Sequence, residues 1–305
     1  PPLRPAPSQT EPSCADPADL ADLADLADLA DLAGLADLAD LAGLSSAQLR
    51  ALQSEDLVAL TTEQVAALGT AQVAALSTTQ IVDLASQQVA ALTSSQIQAL
   101  STLQVRALET ADLAAMSTSQ IQALTTAQIT QLTSTQIGEL ETADLAALSQ
   151  EQVYALSGSQ PTALTTAQIA SLPTAQIASL QTSDLVRLTT AQIVALTSTQ
   201  VQALTLDQVL ALTTTQIRAL ETADLAALSA EQIQALTTAQ VAALTTRVEE
   251  LATQVTQAAD SAGQQQDLGP ITGRLDALET AVNTATQAQG GTEERFNALQ
   301  QSLDA

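Results

Sequence analysis

The chain has 305 residues, 46% of them hydrophobic but only 1% aromatic, and a formal net charge of −25 at pH 7. Arg supplies every cation and there is no His, so the surface repels phosphates and anionic lipids and lacks the side chain most used in general-base catalysis. Composition therefore argues against nucleic-acid binding, attachment to an anionic membrane and catalysis, and no apolar run reaches the ~20 residues of a membrane-spanning helix.

Residues 1–17 are rich in Pro and are predicted to form a disordered or polyproline-like arm. Cys14 is the only cysteine, so it cannot form an internal disulfide and has no Cys or His partner for zinc. We interpret it as an exposed thiol, with an intermolecular crosslink or a lipid anchor as the alternative. The chain starts without Met and without a signal-peptide pattern, which indicates a processed product or a fragment.

Residues 18–43 repeat Ala-Asp-Leu or Ala-Gly-Leu triplets. A three-residue period matches a 3₁₀-helix, which rarely persists beyond three or four residues, so the period does not specify a fold. One interpretation is a helical segment that leads into the repeats that follow. The Asp residues, spread evenly from Asp16 to Asp40, lack the glycine turns and converging ligands of calcium loops. They predict a solvated acidic face and no metal site.

Residues 44–243 consist of twenty-five octads without insertion or deletion, typified by Leu-Thr-Thr-Ala-Gln-Ile-x-Ala. Counting from that Leu, position 1 is Leu except at Met116, and position 6 is Ile, Val or Leu except at Pro161. Position 5 is Gln or Asp in every octad, and position 8 is usually Ala. Uninterrupted repetition of this kind is typical of a solenoid, in which each repeat occupies the same environment.

Three folds compete for the octad. A continuous α-helix would move each Leu by about 80° around the helix per octad, which leaves no apolar face for a partner. A β-solenoid suits Thr, Ile and Val, but the octad has no Gly, Asn or Asp fixed at a turn position. We therefore predict an all-α solenoid of very short capped helices, with a β-solenoid as the alternative.

Each octad carries the signature of a helix start. Thr or Ser at position 2 as the N-cap and Gln at position 5 form a capping box. In the Leu-Glu-Thr-Ala-Asp-Leu octads, where Asp is also favourable near a helix start, we expect the cap to shift to the Thr at position 3. Helices this short cannot form alone, so neighbouring octads must bury the side chains at positions 1 and 6. A coil of two octads is the stacking that we assume.

The Gln column at position 5 has two interpretations. It is either one helix cap repeated in each octad, which we favour, or a ladder of amides that bond to the adjacent coil. In both, Gln is structural and not catalytic. Pro161, which removes a backbone donor and lies near Gly158, is predicted to break or kink its octad before the frame resumes at Leu164. Pro173, at position 2, is compatible with a helix start.

Residues 244–305 change to a heptad pattern, in three stretches separated by Gly-Pro at 269–270 and Gly-Gly at 290–291. We predict short helical or coiled-coil segments, each too short to be stable alone. The apolar positions of the first stretch are Leu244, Val248, Leu251, Val255, Ala258 and Ala262.

The octads of residues 44–243 resemble the Leu-Thr-Thr-Ala-Gln-Ile-x-Ala-Leu arrays of very large bacterial surface or secreted proteins, often described as adhesin-like or haem-utilisation-like. The resemblance rests on the repeated octad and not on a site motif. It implies a bacterial surface or secreted repeat protein, and it transfers no binding residues. The calcium-binding nonapeptide of toxin-like secreted proteins is not found in this sequence, so calcium-driven folding is not implied.

The sequence predicts no catalytic, cofactor-binding or metal-binding residue, because a uniform repeat does not build a unique pocket. We predict a structural protein, extracellular or on the cell surface, that acts as a stalk, spacer or filament-forming subunit and self-associates through its heptads into a bundle or fibre. The alternative is a solenoid protein-binding or adhesion module. Aromatic and Arg side chains usually supply the strongest contacts of such a module, and the candidates are Tyr154, Arg50, Arg106, Arg187 and Arg218.

Overall fold

The computed structural model describes residues 38–262 and ten single positions beyond them: 273, 276, 279, 280, 282, 283, 285, 286, 287 and 290. The Pro-rich arm with Cys14, the triplets before residue 38 and most of the later heptads lie outside the described residues. The described part is helical and contains no β-strand. The all-α solenoid is confirmed, and the β-solenoid alternative is wrong.

The chain divides into two compact units, residues 1–116 and residues 117–305. The helices described in the first unit are α1 (Leu38–Gly43), α2 (Ser46–Ala51), α3 (Ser54–Ala59), α4 (Thr62–Ala67), α5 (Thr70–Ala75), α6 (Thr78–Asp83), α7 (Ser86–Ala91), α8 (Ser94–Ala99), α9 (Thr102–Ala107) and α10 (Thr110–Ala115). Those of the second unit begin with α11 (Thr118–Ala123), α12 (Thr126–Ile129), α13 (Ser134–Glu139), α14 (Thr142–Ala147), α15 (Gln150–Tyr154), α16 (Gln160–Ala163), α17 (Thr166–Ser171) and α18 (Thr174–Ser179). They continue with α19 (Thr182–Leu185), α20 (Thr190–Val194), α21 (Ser198–Gln202), α22 (Leu206–Ala211), α23 (Thr214–Ala219), α24 (Thr222–Ala227), α25 (Ala230–Ala235) and α26 (Thr238–Ala262).

The predicted capping box starts most of these helices, and α8 shows its geometry. The Thr93 N–H donates to Gln96 Oε1 at 2.7 Å, and Thr93 Oγ1 accepts from the Gln96 N–H at 3.2 Å. At the other end, Leu100 is the C-cap in a non-helical conformation, and its N–H donates to the carbonyls of Gln96 and Ile97. One helix of six residues therefore fits between two consecutive Leu residues, as predicted.

The expected shift of the cap in the Leu-Glu-Thr-Ala-Asp-Leu octads is wrong. Glu109 at position 2 is the N-cap of α10 although its side chain makes no capping bond, and the same holds for Glu141 and Glu221. The reason is that the residue at position 5 supplies the acceptor: Asp112 Oδ2 accepts from the Glu109 N–H at 2.9 Å. Even Gly69 acts as an N-cap in this way. The cap position depends on the octad frame and not on a hydroxyl.

The core consists of two aliphatic columns, built from positions 1 and 6. Ile97 at position 6 is fully buried and Leu100 at position 1 is 4% exposed, and these values are typical of the whole array. Gln96 at position 5 is also buried, at 2% exposure. A typical octad therefore contributes two aliphatic side chains and the Gln or Asp side chain of position 5 to the interior.

Within each unit, a helix packs mainly on the third helix along the chain, as α2 does on α5 in the first unit and α20 on α23 in the second. Hydrogen bonds between successive coils join residues that are 25 to 32 positions apart, so a coil takes more than three octads, and our assumption of two is wrong. Positions 1 and 2 link the helices in extended conformations. Sharp reversals between helices commonly use a residue with positive φ, and among the described residues only Gly158 has one. The chain therefore turns by a smaller angle at each link between helices and does not return after two of them.

Pro161 breaks its octad locally, as predicted. In other octads the N–H at position 6 donates to the carbonyl at position 2, and Pro has no N–H to do so. In this octad Gly158 takes a φ of +62° and the helix has only four residues, while the Gln160 N–H donates to the Ser157 carbonyl at 3.1 Å, a bond that several other octads also make. The Pro161 side chain still fills the core position and the frame resumes at Leu164.

Helices α1 and α26 are the first and the last of the helices named above in sequence order. Helix α1, formed by the last Ala-Asp-Leu triplets, packs on α4 like an octad helix. Helix α26 begins in the last octad, continues past residue 244 into the heptad pattern and packs on α23. Val248 in its heptad part is buried.

Candidate functional site: the glutamine column and an open groove

The Gln at position 5 makes hydrogen bonds in two directions. Gln200 Oε1 accepts from the Thr197 N–H at 2.8 Å within its own octad. Its Nε2 donates to the carbonyls of Ile169 at 2.8 Å and Leu172 at 2.7 Å, which lie at the end of α17 in the preceding coil. Carbonyls at a helix C-terminus lack the N–H four residues later that bonds to carbonyls in the helix interior. One amide therefore caps the start of its own helix and the end of another.

The same pair of carbonyl bonds recurs along the array. In the first unit it is made by Gln72, Gln80, Gln88, Gln96 and Gln104. In the second unit it is made by Gln160, Gln168, Gln192, Gln200, Gln208, Gln216, Gln232 and Gln240. The cap that we favoured is correct but incomplete, since the amide ladder exists as well. Sequence reasoning identified the residue and both of its contacts, but treated the two contacts as alternatives.

Asp at position 5 replaces the carbonyl bonds by a different contact. Asp112 Oδ1 accepts from Ser86 Oγ at 2.8 Å, and Asp224 Oδ1 accepts from Ser198 Oγ at 2.7 Å. The hydroxyl lies at position 3, 26 residues earlier. A carboxylate cannot donate to carbonyls, so an Asp octad bonds to a hydroxyl of the preceding coil instead.

Burial disfavours the ionised carboxylate at two Asp residues in position 5, Asp184 and Asp224. Burial raises the pKa of Asp184, and the positive charge of Arg187 opposes this; Gly158 stands where a hydroxyl would lie 26 residues before it. Burial also raises the pKa of Asp224, and the charge of Glu221 adds to this effect, in spite of hydrogen bonds from the Ser198 side chain and the Glu221 backbone. The ionised form of each residue is therefore less stable in the fold than in water.

Replacing Asp224 by Asn is expected to stabilise the protein at neutral pH by about 1 kcal/mol, because no buried charge is left. A raised pKa means that the folded state binds the proton more tightly, so the cost of ionised Asp224 is present at neutral pH and disappears as the pH falls below 3.8. The difference between variant and wild type should shrink over that range in urea unfolding curves. Asp207→Asn, at an exposed position, is the control. A gain that does not change with pH would contradict this explanation.

Pro173 leaves the Gln column with one unsatisfied atom. Pro173 is the N-cap of α18, as expected of a residue compatible with a helix start, but it has no N–H to donate. Gln176 Oε1, which would accept that bond, is buried and has no partner among the described residues. The same side chain still donates to the carbonyls of Ala146 and Leu148.

Replacing Pro173 by Thr is expected to raise the free energy of unfolding by about 1 kcal/mol, because it restores both bonds of the capping box. Pro173→Ala, which supplies the N–H but no hydroxyl, should recover part of the gain and serves as the matched control. Urea unfolding followed by circular dichroism measures both. If neither variant is more stable than wild type, the missing N–H is not what leaves Gln176 unsatisfied.

An open groove of about 1020 Å³ lies on the second unit, between helices α12, α15 and α18 on one side and α19 and α22 on the other. Tyr154, 58% exposed, stands in it at the end of α15. Its backbone is held by Gln181, whose Nε2 donates to the Tyr154 carbonyl at 2.8 Å. Nearby in sequence, Arg187 Nη1 donates to the Gly158 carbonyl at 3.2 Å. These four residues depart from the repeat, and their contacts join them in two pairs.

The other arginines that sequence singled out are placed elsewhere. Arg50 lines a smaller cavity of about 390 Å³ on the first unit together with Asp83, and Arg106 lies on α9 of the same unit. Arg218 on α23 forms an ion pair with Glu250 on α26. Tyr154 therefore has no arginine among the residues that line its groove.

Among the described residues, no group of three His, Cys, Asp or Glu side chains could hold a metal ion. None of the described helices combines the length and the apolar character needed to cross a membrane.

Comparison with known proteins gave one match. A family model described as the ALTTAQ repeat matches the chain six times, and these matches cover more than half of it: residues 37–70, 65–102, 105–142, 137–174, 177–214 and 217–247. Searches of curated proteins and of solved structures found no similar protein.

Proposed function

The chain belongs to the ALTTAQ repeat family, and on this premise we propose that it acts as a stalk, spacer or filament-forming subunit outside the cell or on its surface. In this proposal it is a structural repeat protein without catalytic activity, cofactor or metal. The low cysteine content and the strong acidity suit an extracellular environment, and the resemblance of the octads to bacterial surface arrays points the same way.

The observation that carries the proposal is the repeated contact of the Gln column. Gln88 donates to the carbonyls of Leu57 and Leu60, which lie 31 and 28 residues earlier in the sequence. Gln208 donates to the carbonyls of Ile177 and Leu180 at the same two separations. An additional octad would form the same bonds with the preceding coil. The number of octads can therefore set the length of the array without any change in its contacts, which is the property a spacer needs.

Self-association would extend the spacer into a bundle or fibre. Helix α26 continues beyond the octads with heptad spacing, which is the pattern of helices that pair with other helices. The net charge of −25 would keep single chains apart at low ionic strength, and salt or divalent cations would favour assembly by screening that repulsion. Nucleic acid is not expected as a partner.

Deletion of seven octads, residues 164–219, tests the spacer function. The deleted segment corresponds to about two coils, so the longest dimension of the particle should fall by roughly 20 Å if coils are ~8–10 Å apart. Small-angle X-ray scattering and electron microscopy of the full chain and the variant measure it. An unchanged dimension, or a variant that no longer folds, would contradict the proposal.

The second candidate function is a protein-binding or adhesion module, which the exposed Tyr154 in its groove favours. Alanine substitution of Tyr154 and Arg187 separates the two functions. Loss of a partner without any change in particle length or assembly favours binding. Unchanged binding, combined with a length that follows the number of octads, favours the spacer.

A further inference from the structure

We propose that the groove around Tyr154 binds an extended, positively charged segment of a partner protein. The proposal rests on the binding module as the second candidate function and adds to it the chemical class of the partner. It is independent of the spacer function, which concerns the array as a whole.

The shape of the groove suits a peptide segment. Its volume of about 1020 Å³ is at the upper end of the range of ligand pockets, and it is open along the surface between two columns of helices. The lining contains hydroxyl and amide groups, such as Thr130, Gln150 and Thr182, that can bond to a peptide backbone. The ring of Tyr154 and the methyl groups of Ala127 and Ala178 provide apolar contacts.

The charge of the groove selects a cation. Glu151 on α15 and Asp207 on α22 line it, and no Arg is part of the lining. Hydrogen bonds from its own backbone N–H and from the Ser149 side chain lower the pKa of Glu151, so this carboxylate is ionised at neutral pH. The net charge of the whole chain adds a long-range attraction for basic partners.

Tyr154 supplies the specific contact. It is the only tyrosine of the chain, its exposed ring lies three residues after Glu151 on the same helix, and Gln181 fixes its backbone. An Arg or Lys side chain over the face of an aromatic ring gains a cation–π interaction. With a carboxylate one helical turn away, the ring and the acid form a combined site for one guanidinium group.

Tyrosine fluorescence provides a single-site probe, because the chain has one Tyr and no Trp. The full chain would be titrated with a ten-residue peptide of alternating Arg and Ala, and with the same peptide carrying Gln or Glu instead of Arg. We expect a saturable change in Tyr154 fluorescence with the Arg peptide alone. Isothermal calorimetry measures the affinity of variants, including Tyr154→Ala.

The double variant Glu151→Gln with Asp207→Asn should weaken binding of the Arg peptide about tenfold, as expected from the loss of two partly exposed charge pairs. Glu63→Gln with Glu279→Gln removes the same charge at exposed positions that do not line the groove, and it should change the affinity less than twofold. Equal weakening by both double variants would show a general attraction of charges and overturn the proposal. So would binding of a neutral oligosaccharide at Tyr154 without binding of the Arg peptide. Neither result affects the octad-deletion experiment, so failure of this site and failure of the spacer function are distinguishable.

Discussion

Replacing Gln200 by Glu is expected to lower the free energy of unfolding by about 3–5 kcal/mol, although the two side chains have nearly the same shape. The introduced carboxylate can still accept from the Thr197 N–H, as Gln200 Oε1 does now. It cannot donate to the carbonyls of Ile169 and Leu172, and places a buried negative charge beside them. The loss is measured by urea unfolding followed by circular dichroism.

Three further variants isolate the cause of this loss. Gln202→Glu makes the same change in the same helix at an exposed position and should shift stability by no more than about 0.5 kcal/mol. Gln200→Leu removes the hydrogen bonds without adding a charge and should lie between the two. Gln200→Asp should cost less than Gln200→Glu, because Thr174 stands 26 residues earlier and can donate its hydroxyl. A cost below about 1 kcal/mol for Gln200→Glu would show that the ladder does not stabilise the array.

Mild acid provides a second check on the same variant. A protonated carboxyl can donate one hydrogen bond, so part of the stability lost in Gln200→Glu should return as the pH falls. Gln200→Leu has no group that titrates and should not show this recovery relative to wild type. The pH dependence therefore separates the missing donor from a defect of packing.

The sequence predicts those features of the fold that depend on residues within a single octad. The capping box joins positions 2 and 5, which are three residues apart, so its pattern is visible in any single octad. The burial of positions 1 and 6 follows from their aliphatic character in every octad. The cap of α10 shows the limit of residue-type reasoning, since Glu109 serves as N-cap without any help from its side chain. There the acceptor at position 5 decides the start of the helix.

The contacts between coils could not be predicted in the same way. Gln200 and its acceptor Ile169 are 31 residues apart, a separation that depends on how far the chain turns between helices. That turn is set by the backbone angles at positions 1 and 2, which no residue type in the octad specifies. The available signal is that position 5 is Gln in most octads, Asp in the others and Glu in none, although a cap alone also tolerates Glu. The preference for an amide over Glu indicates that the donor is needed as well.

The groove is likewise visible in the sequence only as isolated departures from the repeat. Tyr154 was identified as a candidate because it is the only tyrosine, but Gln181 and Asp207 were not, since each is unremarkable among polar residues of the array. Their proximity depends on the packing of α15, α18 and α22 in successive coils. Positions that break a repeat are therefore worth comparing at the spacing of a coil, which here is 25 to 32 residues.

Deleting four residues from the array is expected to destabilise the second unit far more than deleting eight. Removal of the octad Leu196–Ala203 brings Gln208 to the carbonyls of Ile169 and Leu172, which Gln200 holds in the wild type, so the ladder forms again. Removal of residues 198–201 shifts all following octads by half a repeat. The Gln208 amide then no longer lies opposite the carbonyls at a helix end. Each later Gln whose acceptor carbonyls precede the deletion loses its acceptors in the same way.

The eight-residue deletion should cost less than about 2 kcal/mol, since each remaining helix keeps its bonds. The four-residue deletion loses α21 and leaves several buried carbonyls and amides without partners, at about 1–3 kcal/mol each, so it should cost more than about 5 kcal/mol or prevent folding of the second unit. Thermal unfolding and circular dichroism of both variants measure the difference. Similar costs for the two deletions would mean that the helices tolerate sliding along the stack, and then the bonds of the Gln column could not be what fixes the frame of the array.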